Sequence, residues 1–194
     1  MTKHRLEMFS DGVFAIVITI LILNIHLPET DTGHLGQALR DLAPNVLSYA
    51  MSFILIGLYW IAHHTSFHLI HKVDGAFLWM NMILLLFVSF MPFPAYLLGR
   101  YPLMPVPLII YGINLIAANF MGFSMTWYSC YHPELLTEPF SIKDFRKQFP
   151  IYFLINGMYL VAIFLAQVFP VVSYVIYIVL ALFLVFFYAR IGVK

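Results

Sequence analysis

Long apolar runs alternate with short polar stretches along the whole chain. Six of these runs approach the roughly 20 residues that a helix needs to cross a bilayer. Their approximate bounds are 6–27, 44–70, 76–98, 106–130, 148–168 and 171–190. Because the connections leave no room for a soluble domain, the pattern predicts an all-α membrane protein with six transmembrane helices in one domain, residues 1–194.

Prolines and polar residues add detail to this pattern. Pro92 and Pro94 lie inside the third run and predict a kink or a break in its last turn. Between the first two runs the sequence predicts a short helix at 37–42. Ser141 and Asp144, in the longest polar stretch, resemble a helix cap.

Positive charges predict the orientation of the six helices. With six spans, one side of the membrane receives Lys3, Arg5, Lys72, Lys143, Arg146, Lys147, Arg190 and Lys194, whereas the other side receives Arg40 and Arg100. Lysine and arginine are enriched on the cytoplasmic side of membrane proteins. Eight charges against two therefore place both termini in the cytoplasm.

Composition agrees with a membrane protein and excludes several other classes. Hydrophobic residues make up 62% of the chain and charged residues 10%, against about 25% charged in soluble domains. A net charge of +1 gives no general attraction to nucleic acid. The single cysteine, Cys130, forms no intrachain disulfide, and the first run lacks the small-residue cleavage site of a signal peptide.

Candidate catalytic and metal-binding residues are few. His64, His68 and His71 are spaced i, i+4 and i+7 at the end of the second run, a helical face that would suit a transition metal. Such residues more often form hydrogen bonds between helices, and we expect no carboxylate or thiol beside them to complete a catalytic site. The paired aspartates or His-Glu motifs of intramembrane proteases are absent. We therefore expect no enzyme, no metal site and no cofactor.

Charges at the start of the first run set this helix apart. Asp11 abuts the apolar stretch, where a carboxylate is costly without a partner. Arg5 and Asp11 lie about 240° apart around a helix, so each needs a partner on another helix or another subunit. This requirement places the first helix inside the protein.

One stripe on the first helix combines four positions at helical spacing, namely Ile16, Thr19, Ile20 and Leu23. An apolar helix has such a stripe on every face, so spacing alone leaves lipid contact, core packing and pore lining open. The polar residues inside the other spans are uncharged, including Asn81, Asn114, Asn119, Asn156 and Gln167. Because ion-coupled transporters usually need a buried carboxylate, this favours a passive path.

Three motifs resemble a known family. The segment from Arg5 to Asp11 matches the pattern Arg-x-x-x-Phe-Ser-Asp of the transmembrane protein 175 family, which comprises the lysosomal-type potassium channels and their bacterial relatives. Trp60-x-x-His63-His64-x-x-Phe67 and Asn81 with Pro92-Phe93-Pro94 are further matches. The likeness extends over the whole chain and includes one copy of the signature, which is similar to the tetrameric prokaryotic members.

The resemblance implies a potassium-preferring cation channel in a bacterial plasma membrane, a homotetramer in which the first helix of each subunit lines the pore. It implies that Ile16 forms the tightest constriction and that the other pore-facing layers are Thr19, Ile20 and Leu23. It also implies a hydrogen-bonded signature network of Arg5, Phe9, Ser10 and Asp11 with Trp60, His64 and Asn81. The expected partners are thus a second copy of the chain, the lipid bilayer and permeant monovalent cations such as K⁺, with no nucleic acid.

Two alternatives remain at this point. One is a secondary transporter of a small cation or solute that uses the histidine-rich end of the second helix. The other is a membrane protein with a purely structural role. The sequence does not indicate what opens the channel, how strongly it prefers potassium over sodium, or whether Thr19 or Ile20 faces the pore axis more directly.

Overall fold

The computed structural model describes residues 2–27, 29, 32–137 and 149–191. Within these ranges the regular secondary structure is helical, the connections are turns and irregular segments, and an isolated bridge pairs Ile70 with Leu136. The α-helices are α1 (Lys3–Ile20), α2 (Leu35–Asp41), α3 (Ala43–His68), α4 (Gly75–Phe90), α5 (Pro92–Arg100), α6 (Pro105–Tyr131), α7 (Phe149–Ala166) and α8 (Pro170–Ile191). The predicted cap at Ser141 and Asp144 lies outside the described residues.

Six stretches of the described helices are long and apolar enough to cross a membrane. They begin and end within a few residues of the predicted bounds, and α4 together with α5 forms the third. The predicted short helix between the first two spans is α2. The chain is therefore a multi-pass membrane protein with an all-α fold, as its hydrophobic pattern predicts.

The third span breaks at Met91, as its two prolines predict, although earlier than in its last turn. Pro92 has no N–H to donate to the helix, so α4 ends at Phe90 and the Met91 N–H bonds to the carbonyl of Val88 at 3.1 Å. Pro92 is then the first residue of α5, a position that suits proline. Asn114 Nδ2 on α6 donates to the carbonyl of Phe87 at 3.1 Å, which compensates for the interrupted helical bonding.

A tyrosine cluster holds the second half of the bundle together. Tyr111 on α6, Tyr159 on α7 and Tyr177 on α8 are fully buried. The Tyr177 hydroxyl donates to the carbonyl of Leu108 at 2.9 Å, and the Tyr111 hydroxyl shares a hydrogen bond of 3.1 Å with Ser52 on α3. The hydroxyls of Tyr111 and Tyr177 thus each have a partner, as buried polar groups require.

The α3–α4 turn is fixed by a cap at the start of α4. Asp74 accepts hydrogen bonds from the backbone N–H of Phe77 at 2.8 Å and from the Tyr128 hydroxyl at 2.7 Å. These two donors, the backbone N–H first, hold the pKa of Asp74 below its ordinary value because they stabilise the ionised carboxylate. The turn is thereby tied to α6.

Candidate functional site: the first helix and its anchor

The first helix has two mainly apolar faces, of which one is buried in the subunit and the other is exposed. One face is buried against α3 and α4, and its residues are Leu6, Ser10, Phe14, Val17 and Leu21. On the opposite face Ile16 is 59% exposed, Ile20 42% and Leu23 63%, and Thr19 is also exposed. The single subunit thus anchors one side of α1 and leaves the predicted stripe without a partner.

The end of this helix changes its pitch within the stripe. Residues Leu21–Asn24 form a 3₁₀ turn, in which side chains three residues apart eclipse each other. Leu23 therefore lies in line with Ile20. In the preceding α-helix Ile16 lies about 40° from Ile20, whereas Thr19 lies about 100° from it. Ile16, Ile20 and Leu23 form one apolar row, and Thr19 lies at its edge.

Thr19 uses its hydroxyl locally. Its Oγ1 lies 2.8 Å from the carbonyl oxygen of Ile16 and 3.1 Å from that of Ala15, one turn earlier in the same helix. The hydroxyl proton is therefore directed at the helix backbone. Only the lone pairs of the oxygen remain for another ligand.

The buried side of α1 is held by a chain of hydrogen bonds that crosses three helices. Asn81 Nδ2 on α4 donates to Ser10 Oγ at 3.0 Å, and Ser10 donates in turn to the carbonyl of Leu6 at 2.9 Å. The Asn81 Oδ1 atom lies 2.8 Å from His63 Nε2 on α3. With Asn81 in this orientation the imidazole donates through Nε2, since an amide oxygen only accepts.

His63 was absent from the predicted network, although it belongs to the tryptophan-histidine motif that carries the resemblance. Its ring is buried between Phe14 and Phe67, with ring centroids 5.5 Å and 4.2 Å away. The neighbouring His64 was predicted instead. Two adjacent histidines point about 100° apart on a helix, and only the packing of α1 and α4 shows which one faces inward.

Asp11 finds its partner on α3. Trp60 Nε1 donates to Asp11 Oδ1 at 2.9 Å, which supplies the interhelical partner that a carboxylate at this position requires. The indole stacks on His64, with ring centroids 5.7 Å apart. Within the described residues His64 stacks on Trp60 but makes no hydrogen bond to the predicted signature residues; its Nε2 meets His68, and its Nδ1 lies 3.9 Å from Glu7 Oε1.

Glu7 corrects one expectation drawn from the sequence. The sequence predicts no carboxylate beside the histidines, but α1 brings Glu7 to His64 across 57 positions of chain. Arg5 and Phe9 are exposed on α1, and within the described part of the chain Arg5 makes no ion pair. A partner for Arg5 on another subunit stays a prediction.

The three-histidine face predicted at the end of α3 is reduced to a pair. His64 Nε2 and His68 Nε2 lie 3.0 Å apart. α3 ends at His68, so His71 leaves the helix and its N–H bonds to the carbonyl of Leu135. Among the described residues no group of three or more histidine, cysteine, aspartate or glutamate side chains is placed to hold a metal ion.

An apolar groove runs between the exposed row and the break in the third span. It has a volume of about 370 Å³ and is lined by Val13, Ile16, Val17, Ile20, Ser89, Phe90, Pro92 and Phe93. Pro92, one of the lining residues, also accepts a hydrogen bond of 2.9 Å from Asn24 Nδ2 through its carbonyl oxygen. Ile16 and Ile20 therefore belong both to the exposed row on α1 and to the wall of this groove.

These features define a class of protein, namely a helical multi-pass membrane protein whose first helix is anchored on one side and open on the other. A family model described as the endosomal/lysosomal potassium channel TMEM175 matches residues 5–92, from the first signature residue to the break in the third span. A potassium channel of Streptomyces collinus is 35% identical over 140 residues, which are 70% of this chain and 68% of that one. The chain belongs to the TMEM175 family.

Other relatives match over a smaller part of their length. A potassium channel of Chryseobacterium sp. is 44% identical over 116 residues, 60% of this chain and 59% of that protein. The human endosomal/lysosomal proton channel TMEM175 is 40% identical over 101 residues, 47% of this chain but only 20% of the human protein. The relatives' own names thus include both potassium and proton channels.

Solved structures extend the likeness to the whole chain. The crystal structure of a homologue of the lysosomal potassium-selective channel TMEM175 from Chamaesiphon minutus superposes with a TM-score of 0.83 at 30% identity, and the match covers 95% of this chain and 96% of that one. A variant of the potassium channel MtTMEM175 superposes with a TM-score of 0.66 at 22% identity, covering 96% and 92%. The second of these likenesses shows the fold alone.

Proposed function

We propose that the chain is a potassium-preferring cation channel that acts as a homotetramer, with α1 of each subunit lining the pore. The relatives named as potassium channels support potassium as the permeant ion. The structural likeness to a potassium-selective channel extends over almost the whole chain. Membership of a family of channels argues against an enzyme. The bias of lysine and arginine supports cytoplasmic termini.

The observation that carries this proposal is the unequal burial of α1. A helix fixed on one side by Ser10, Asp11 and their partners cannot turn its open row freely towards lipid. In a fourfold assembly the open row of Ile16, Ile20 and Leu23 would face the axis, and each subunit would contribute the same three layers. A pore needs such a repeated surface, which one subunit of this shape does not enclose.

The proposed constriction has a simple physical consequence. Four Ile16 side chains around an axis offer no oxygen ligands, so they cannot replace the hydration shell of an ion. Such a ring closes the path by excluding water and conducts when it widens. The lone pairs of Thr19, at the edge of the row, would be side-chain ligands for a partly hydrated cation.

Potassium flux into liposomes tests the proposal. We expect the wild-type protein to conduct K⁺ without a coupling gradient, and Ile16→Asn to raise the flux and reduce discrimination against Na⁺, because an amide holds water in the constriction. Ile113→Asn on α6 is the matched control, since Ile113 is 55% exposed and Ile16 59%. Equal fluxes in the two variants and the wild type would exclude a role for Ile16 in the pore constriction.

Oligomeric state provides an independent test. A native mass measurement of the detergent-solubilised protein should give four subunits. A monomer would contradict the proposal, because no pore could then form along α1.

Proton permeation is a second candidate, favoured by the names of the vertebrate relatives. Proton permeation is distinguished from potassium conduction by measuring acidification of the liposome interior in the absence of K⁺. A secondary transporter would differ from both, because its flux would require a co-ion gradient and would disappear in the His64→Gln and His68→Gln variants. The channel proposal expects both variants to keep conducting K⁺.

A further inference from the structure

A histidine pair at the end of α3 has no role in the proposed conduction. His64 and His68 lie one turn apart on one face of the helix, and their rings meet edge to face with centroids 4.5 Å apart. α3 is 26 residues long, about 39 Å at 1.5 Å per residue, which exceeds a hydrocarbon core of about 30 Å. His68, its last residue, is exposed and can be reached from water.

The two ring nitrogens that face each other are suitably placed to share one ion. His64 Nε2 and His68 Nε2 are 3.0 Å apart. Two imidazole nitrogens bound to the same ion at about 2.1 Å, with a right angle between them, would also lie about 3.0 Å apart. The observed separation therefore matches neighbouring positions in an octahedral or square-planar site, and is slightly shorter than in a tetrahedral one.

Glu7 lies near the other ring nitrogen of His64. Its Oε1 is 3.9 Å from His64 Nδ1, beyond hydrogen-bond length, and at this distance its charge favours the tautomer that carries the proton on Nδ1 and leaves the Nε2 lone pair directed at His68. Metal-bound histidines commonly have a carboxylate on the second ring nitrogen, which orients the ring and raises its basicity. The carboxylates of Glu7 and Asp11, both on α1, also favour a cation in this region.

We infer that His64 and His68 bind one late first-row divalent cation, of the class of Ni²⁺, Cu²⁺ and Zn²⁺, through their Nε2 atoms. The ion takes the place of the proton that the two nitrogens share, and His68 then carries its proton on Nδ1, so both rings stay neutral. Water fills the other coordination positions. Imidazole favours these ions over Mg²⁺ and Ca²⁺, which prefer oxygen ligands. Since Glu7 belongs to α1, the bound ion strengthens the contact between α1 and α3.

Calorimetric titration of the purified, detergent-solubilised protein with NiCl₂ tests this inference. We expect one Ni²⁺ per chain and no heat from MgCl₂. His68→Gln and His64→Gln should each weaken binding at least tenfold. His71→Gln is the matched control, because it removes one exposed histidine close in sequence that does not contact the pair, and it should bind as the wild type does. Circular dichroism verifies that each variant keeps its helical fold.

Glu7→Gln examines the orienting role separately. Loss of such a partner typically weakens metal binding 10–100-fold, so we expect binding weakened about tenfold with one Ni²⁺ per chain retained. The inference is wrong if the wild type takes up no Ni²⁺, or if His71→Gln lowers the affinity as much as His68→Gln does. Binding is measured without ion flux, so its failure leaves the channel proposal untouched, and a failure of conduction leaves the metal site untouched.

Discussion

Asn24 Nδ2 donates a hydrogen bond of 2.9 Å to the carbonyl oxygen of Pro92. This bond joins the 3₁₀ turn at the end of the proposed pore helix to Pro92, the first residue of α5. Pro92 creates the break in the third span, and the polar group near that break is used to hold α1 in position. The two halves of the third span thus contribute differently, because α4 anchors the start of α1 and α5 anchors its end.

Asn24→Ala removes this link. We expect a loss of about 1 kcal/mol, the net value of one hydrogen bond, which for a chain of this size lowers the melting temperature by about 2–4 °C. Asn119→Ala is the control, because its amide is also half-buried and lies 3.5 Å from Asn156, the limit of a hydrogen bond. Equal melting temperatures of the two variants in detergent would contradict the assigned role.

Asn81→Ala should be more destabilising than Asn24→Ala. Asn81 is fully buried and bonds to both Ser10 and His63. Its removal leaves the buried His63 Nε2 without a partner, at a cost of about 1–3 kcal/mol, and takes the second hydrogen bond from Ser10, which keeps its bond to Leu6. In detergent, the melting temperature of Asn81→Ala should therefore be well below that of Asn24→Ala. The reverse order of melting temperatures would show that the buried hydrogen bonds of Asn81 are not what holds α1 in place.

Trp60→Phe tests the pairing of Asp11. The substitution keeps an aromatic ring beside His64 but removes the indole N–H, so we expect a loss of about 1 kcal/mol for this partly exposed bond. The same change should cost less in an Asp11→Ala background, where no carboxylate remains to be paired. A double-mutant cycle of melting temperatures measures this coupling, and strictly additive effects would exclude a direct Trp60–Asp11 interaction.

Gly112→Ala should disrupt the tyrosine cluster. A Cβ atom at this position would collide with the Tyr177 hydroxyl oxygen and would lie 2.7 Å from Ile163 Cγ1, closer than real Cβ atoms approach their neighbours. Overpacking of this kind costs about 1–3 kcal/mol. Gly122→Ala on the same helix meets nothing within 4 Å and should be neutral or stabilising, because alanine favours a helix over glycine. Purification yield and melting temperature compare the two, and similar behaviour would refute the close approach of α6 and α8.

Asp74 should give the stability a dependence on acidic pH. Its pKa is lowered in the folded chain by the Phe77 N–H and the Tyr128 hydroxyl. The stabilisation is therefore complete above the ordinary aspartate pKa, near 3.8, and is lost as the pH falls below that value through the lowered pKa. Melting temperatures measured from pH 7 to pH 3 should fall less at the acidic end for Asp74→Asn than for the wild type. Parallel curves would contradict the effect.

Much of the fold follows from local chemistry, and the sequence alone predicted it. Apolar runs of bilayer length produce membrane-spanning helices whatever their neighbours are, because every backbone polar group must be paired within the segment. Pro92 and Pro94 break the third span through their missing N–H groups, an effect equally independent of tertiary contacts. The signature from Arg5 to Asp11 predicted the family in a different way, through its resemblance to known members.

The partners of the signature residues were decided only by the tertiary structure. The sequence shows that Asp11 needs a partner, but the rotation of α3 determines that Trp60 supplies it and that His63, rather than His64, reaches Asn81. Glu7 meets His64 for the same reason. On a helix a rotation of about 100° exchanges adjacent residues, and the packing of side chains from several helices at once sets that rotation.

The register of the open row also depends on the fold. Local spacing made Ile16, Thr19, Ile20 and Leu23 equivalent members of one stripe. The 3₁₀ turn at Leu21–Asn24, held to Pro92 by Asn24, aligns Leu23 with Ile20 and leaves Thr19 at the edge. The sequence by itself thus determined which segments cross the membrane and where their prolines break them. The tertiary structure decided which side chains are buried and which remain open, because burial depends on how the helices rotate against one another.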